Sequence, residues 1–162
     1  MNVPKRYIPK NLTKKDKQKQ RNQLKLSRKA YKKGKYIIRK KVKSFKSKKS
    51  QHISNAERMY KIKNLTLNKA LAKKTKCSLK SLKRIFKKGM GAYYSSGSRP
   101  NQTPHSWAYA RLASGITGGK ASAVDYKILL NGCNKTSKAL KLAKKAYKKY
   151  KKGTRRVPQT KL

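Results

Sequence analysis

The sequence predicts a mainly α-helical protein of small α+β type: a helical core with a helix-turn-helix-like hairpin, a short β-sheet and extended basic arms. Three observations point there. Apolar residues recur at three- and four-residue spacings in several segments bounded by capping residues, the pattern of amphipathic helices. β-branched and aromatic residues concentrate in two runs only, KYIIRKKVKSF and RMYKIKNL, enough for a small sheet. The chain of 162 residues carries 49 Lys+Arg against three acids, a formal charge of +46, and is 35% apolar. Ordinary domains are about 45–50% apolar, so part of this chain is expected to lie outside any core.

Residues 1–11, with Pro4 and Pro9 flanking KRYI, read as an extended basic arm, because proline excludes a regular helix there. Residues 12–34 read as a basic helix. Thr13 is its N-cap with Asp16 three residues on, and Gly34 its stop. Its apolar positions Leu24, Leu26, Ala30 and Tyr31 all lie in the second half, so the first half is expected to have no core to pack on. Residues 35–65 read as short strands flanking a serine- and lysine-rich loop. Residues 66–133 read as the helical core. Residues 134–162 read as an amphipathic helix, opened by Thr136 or Ser137 and carrying Ala139, Leu142, Ala143, Ala146, Tyr147 and Tyr150 on one side, then a tail with Arg155 and Arg156.

Within the core, LTLNKALAKKTKCSLKSLKRIFKKGMG reads as two helices joined by a tight turn. Leu71 and Ala72 belong to the first. Ser78 caps the second, whose Leu82, Ile85 and Phe86 face inward until Gly89 ends it. The second helix of a DNA-binding pair enters the major groove, which here turns Lys80, Ser81, Lys83, Arg84 and Lys87 outward. Lys76 stands where such motifs want glycine, at a steric cost if its backbone is left-handed. A helical hairpin used as scaffold, with phosphate-facing lysines, is the preferred reading.

Between Gly89 and Cys133 the only basic residues are Arg99, Arg111, Lys120 and Lys127, so a folded centre is expected here. SSGSRPNQ reads as an ordered loop. Thr103 then caps a helix with Pro104 at its first position, anchored in the core by Trp107 and Leu112, and a second helix follows the TGGK turn with Ala121, Val124, Ile128 and Leu129 inward. Cys77 and Cys133, far apart and without metal-ligand spacing, are expected as buried free thiols rather than a zinc site or a disulfide.

The stretch KKGMGAYYSSGSRPNQTPHSWAYARLASGITGGKASAVDY, with ALAKKTKCS and SRKAYKKGKYIIRKKVKSF upstream, resembles an uncharacterised basic domain family of large eukaryotic DNA viruses and some tailed bacteriophages. The resemblance runs from about Lys5 to Cys133, and SGSRPNQT to SWAYARLAS is its distinctive part. It implies a viral origin and carries no activity or catalytic residue with it.

The charge balance sets the functional expectation. With so few acids, counter-charge has to come from a partner: DNA or another polyanion, other capsid proteins, or an anionic inner membrane surface. Lys80, Lys83, Arg84, Lys87, Arg99, Arg111, Lys120, Arg155 and Arg156 are the candidate contacts. A phosphate cradle from Arg99 and the helix starts at NQTPH and TGGK is a sharper version. Ser95, Ser96, Ser98, His105 and Asp125 could be arranged as a hydrolase, and Tyr93 or Tyr94 could attack DNA. Three acids in all argue against two-metal chemistry. No cofactor, metal or catalytic residue is expected. The absence of a run of about 18 apolar residues, or of a hydrophobic core at the N-terminus, leaves no expected membrane span or secretory leader. The expected function is that of a non-enzymatic structural virion protein, a minor capsid protein on the inner shell face. The alternatives are a DNA-condensing core protein and a metal-independent DNA-processing enzyme.

Overall fold

The structure, a computed structural model, describes residues 1–153 and 157–162. It is mainly helical with one two-stranded antiparallel sheet, as the sequence predicts, and divides into two compact units. The chain alternates between them. The first unit takes residues 1–48, 90–107 and 157–162; the second takes 49–89 and 108–153.

In the first unit the sheet is built from the two chain ends: β1 (Asn2–Pro4) pairs with β2 (Gln159–Lys161), Val3 opposite Thr160. This corrects the expected position of the sheet, residues 35–65, and the expected free N-terminal arm. Val3, Tyr7 and Ile8 leave water by packing with Leu24 of α1 (Lys14–Lys32), and Trp107 and Leu162 cover the cluster. Trp107 meets Tyr7 edge-on, 5.7 Å between centroids. A basic arm with three buried apolar residues has enough to dock.

α1 begins and ends as expected. Thr13 accepts the Asp16 N–H at 3.2 Å, and Gly34, at φ +71°, follows the last turn. Its first half is not a bare basic rod, however. Asp16 and Gln20 are buried there, while Leu26 points to solvent, two residues and about half a turn from buried Leu24.

Residues 35–42 form neither helix nor ladder, and α2 (Gln51–Met59) occupies ground expected to be strand or loop. The β-prone YIIRKKV finds no neighbouring strand; its backbone groups are taken by side chains, as described below.

The second unit holds α2, α3 (Lys69–Thr75), α4 (Leu79–Ser95) as far as Gly89, α5 (Pro104–Ile116) from Ala108, α6 (Lys120–Val124), α7 (Tyr126–Gly132) and α8 (Lys138–Lys149). Leu82, Ile85, Phe86 and Leu112 are buried as expected, joined by Ile116, Leu129 and a run of alanines: Ala108, Ala113, Ala139, Ala143 and Ala146. Alanines let helices approach closely, which fits a chain short of large apolar residues. Gly89 does the same. It does not end α4, which continues to Ser95; a Cβ there would lie 2.6 Å from the Ala108 Cα, so it permits the crossing of α4 and α5. The single helix expected after TGGK breaks at Asp125 into α6 and α7, and Val124 is exposed.

The α3–α4 hairpin has the predicted form. Ser78 accepts the Ser81 N–H, and Lys76 is left-handed at φ +53°. Cys77 is not a free thiol. It forms a disulfide with Cys133, which corrects the expectation from spacing alone. The reason lies in the turns: Ser78 N–H donates to Gly132 O and Asn134 N–H to Lys76 O, so the segments either side of the two cysteines are zipped antiparallel. Ser137, the N-cap of α8, donates to Thr75 O at 2.6 Å and fixes the same corner.

Candidate polyanion-binding surface

With only three carboxylates in the chain, where each goes decides what the lysines are free to do. Asp16 accepts the Ser44 N–H and hydroxyl, both at 2.7 Å, and these bonds hold its carboxyl below the ordinary carboxylate range. Glu57 takes Lys49 Nζ at 2.6 Å and the Leu65 N–H, and its carboxyl is lowered for the same reason, the Lys49 bond foremost. Asp125 is wholly buried; Arg111 grips it with two N–H groups at 2.8 and 2.9 Å, and Lys88 adds a third bond at 2.7 Å. Every acid is therefore part of an internal clasp.

Arg111, expected to contact polyanion, is instead committed to Asp125. The other expected contacts on α4, Lys80, Lys83, Arg84 and Lys87, are exposed along its second-unit segment, and Arg99 is exposed in the first unit. Lys120 is half-buried. Arg155 and Arg156 lie outside the described residues. On α8 the buried Ala139, Leu140, Ala143 and Ala146 leave Lys138, Lys141, Lys144, Lys145, Lys148 and Lys149 exposed, so the expected cationic back is present.

The SSGSRPNQT loop turns out to hold its own chain. Asn101 accepts the Val42 N–H at 2.8 Å and donates to Val42 O and Phe45 O. Gln20 donates to Ser98 O and Tyr7 O. Arg39, buried without any carboxylate, donates to Ser27 Oγ, Tyr93 O and Ser98 Oγ, and its guanidinium lies 3.7 Å from the Tyr93 ring centroid. Burial lowers its pKa, while three acceptors and an aromatic face make the buried cation tolerable. The Tyr93 hydroxyl in turn accepts the Arg39 N–H. Gln23 accepts the Lys40 N–H. Residues 39–42 are thus held by side chains where a sheet would use a neighbouring strand.

The same bonds bear on the chemical alternatives. Ser98 Oγ donates to Arg99 O and accepts from Arg39, the Tyr93 hydroxyl is buried against Arg39, and Asp125 is closed by its two cations. At the α5 start, Thr103 and Ser106 cap each other reciprocally. At TGGK the Gly119 and Ala121 N–H groups donate to Ser114. Both turns expected to cradle phosphate therefore satisfy several of their own donors. Among the described residues no group of three or more His, Cys, Asp and Glu side chains is placed to hold a metal, and no helix is long and apolar enough to cross a membrane.

One cationic grouping escaped the sequence reading. In the first unit Lys5, Lys10, Lys17 and Arg21 line an open cleft of about 300 Å³ with Ile8 and Thr160. The signal in the sequence was faint: Lys17 and Arg21, four apart, share a face of α1. That the N-terminal residues fold back beside them follows only from the β1–β2 pairing.

Comparison with known families places residues 4–127 in a family of unknown function, DUF5824, and the chain belongs to that family. No curated protein and no solved structure matches it.

Proposed function

We propose that this protein is a non-enzymatic architectural protein whose lysine-rich faces bind an extended polyanion, nucleic acid foremost. We place it in the particle of a large DNA virus, as a minor capsid protein on the inner shell face. One observation carries the binding reading: all three carboxylates are committed to internal clasps, so the exposed cations of α1, α4 and α8 have almost no internal counter-charge. Self-repulsion of that size is relieved by a partner that supplies phosphates or carboxylates. The viral placement draws its support from the resemblance of the SGSRPNQT and SWAYARLAS blocks. Other capsid proteins and an anionic inner membrane are the further partners of that placement.

The binding reading is tested by titrating the protein with duplex DNA across a salt series. The expected result is a linear fall of log K with log salt, each neutralised phosphate contributing a slope of roughly −0.9. Affinity that stays flat from low to moderate salt would overturn it. The placement is tested by mass spectrometry of virions separated into shell and DNA core, where recovery with the core alone favours genome condensation instead. A second reading, groove recognition by the α3–α4 hairpin, is favoured by Lys80, Lys83, Arg84 and Lys87 all being exposed on one helix. A sequence-selective footprint that Arg84→Ala abolishes would establish it.

A further inference from the structure

The cleft of Lys5, Lys10, Lys17 and Arg21 differs in kind from the lysine-bearing helix faces. A lysine on the outside of α8 stands on a convex surface and meets a polyanion at one point. Here four cations, two from the N-terminal residues and two from α1, border one open concavity of about 300 Å³, near the lower end of the range for small-ligand sites.

Its walls are built by the fold. Lys5 N–H donates to Pro158 O, which continues the β1–β2 pairing and sets the Lys5 wall; Ile8, 8% exposed, anchors the chain between Lys5 and Lys10. Lys17 and Arg21 stand one turn apart on α1, both half-buried. No carboxylate lines the cleft, and none of the three ion pairs among the described residues involves its cations. The nearest acid in sequence, Asp16, is turned to Ser44.

We propose that this cleft is a discrete phosphate-binding site that seats the backbone phosphates of a nucleic acid strand. The inference rests on the polyanion reading and adds to it that one place on the molecule dominates the binding. Phosphate is the chemistry that fits. Arg21 offers a planar fork for two oxygens, the three lysines that border the cleft carry ammonium groups on flexible stems, and Thr160 adds a polar residue to the wall. A strand rather than a lipid headgroup is favoured because the cleft is open and further exposed cations of α1, Lys14, Lys25 and Lys29 among them, can hold a strand beyond it.

The test measures anisotropy of a labelled single-stranded oligonucleotide with the full-length protein and two charge-matched double variants. Lys17→Gln/Arg21→Gln alters the cleft; Lys144→Gln/Lys148→Gln removes the same charge from the back of α8. The cleft variant should weaken binding about tenfold or more, and the α8 variant only about twofold, since charge-assisted contacts are lost in the first and screened surface charge in the second. Lys5→Gln/Lys10→Gln, from the opposite wall, should repeat the first loss and guards against misfolding of α1. Equal losses from the cleft and α8 variants would overturn the site and leave the polyanion reading standing. Wild-type protein that fails to bind at low salt would overturn both. Binding to vesicles containing phosphoinositide that depends on the cleft, with oligonucleotide binding indifferent to it, would reassign the site to a headgroup and overturn the proposal.

Discussion

The two units solve one problem in different ways. A chain with this much lysine has few large apolar residues to bury. The second unit uses what there is, Leu82, Ile85, Leu112, Ile116 and Leu129, and closes the gaps with alanines and with Gly89, so that helices pack at short range around a small core. The first unit has a smaller apolar cluster, Val3, Tyr7, Ile8 and Leu24, and relies instead on buried polar side chains, Gln20, Ser27, Arg39 and Ser98, that bind backbone and one another. Apolar packing is insensitive to direction, whereas a hydrogen-bonded clasp works only if every partner is present, because a half-satisfied network leaves buried polar groups unpaired. The first unit therefore asks for particular residues where the second asks mainly for sizes, which explains why SSGSRPNQT is so unlike its surroundings.

That contrast can be broken by experiment. The largest effect expected is from reducing the Cys77–Cys133 disulfide or replacing both cysteines with serine. By loop-closure entropy over a separation of 56 residues the cost is about 4 kcal/mol. Hydrogen exchange should show the loss in α3, in α4 as far as Gly89, in α7 and in α8, with the Arg39 and Val42 amides still protected; equal loss at those amides would end the distinction between the units. Next, Asp125→Ala should cost about 3 kcal/mol in thermal or denaturant unfolding, since it leaves Arg111 and Lys88 beside a site built for a carboxylate. An Asp125→Ala protein of wild-type stability would mean that the apolar packing of the second unit needs no such clasp. Asn101→Ala should cost about 2 kcal/mol by removing three bonds to residues 42–45. Its sharper readout is proteolysis, which should cut near residues 39–46 in the variant and spare the helices of the second unit.

The smallest effect is on acid stability. Asp16 and Glu57 have folded pKa values below their ordinary 3.8 and 4.5, so as pH falls the unfolded chain takes up protons first. Their contribution is complete above about pH 5 and is lost as pH drops through the ordinary values toward the lowered ones. Asp16→Asn should flatten that acid limb, measured as the midpoint of denaturant unfolding against pH, and an unchanged limb would separate Asp16 from the stability of the first unit.

Parts of this were legible in the sequence wherever the governing interaction is local. Thr13 and Gly34 bound α1, Ser78 and Ser137 open α4 and α8, and the three-and-four spacing of Ala139, Ala143 and Ala146 marks the buried side of α8. Leu26 shows the limit of reading composition rather than spacing: counted as apolar, it faces water because it sits on the wrong side of the turn. The cleft was the least legible feature, since Lys5 and Lys10 stand beside Lys17 and Arg21 only when the two ends of the chain pair.

By itself the sequence determined that the protein is mainly helical, where most of its helices start, and that its cations outnumber its carboxylates 49 to three. Helix period, capping and net charge are properties of neighbouring residues or of simple counts, and need no fold to evaluate. Tertiary structure alone decided that the β-prone YIIRKKV is held by Asn101, Tyr93 and Gln23 rather than by a strand, that Cys77 meets Cys133, and that each acid closes a clasp. Those pairings join residues from eight to 59 positions apart, and a side chain's spacing along the chain does not say which of the possible partners the packing will bring within hydrogen-bond reach.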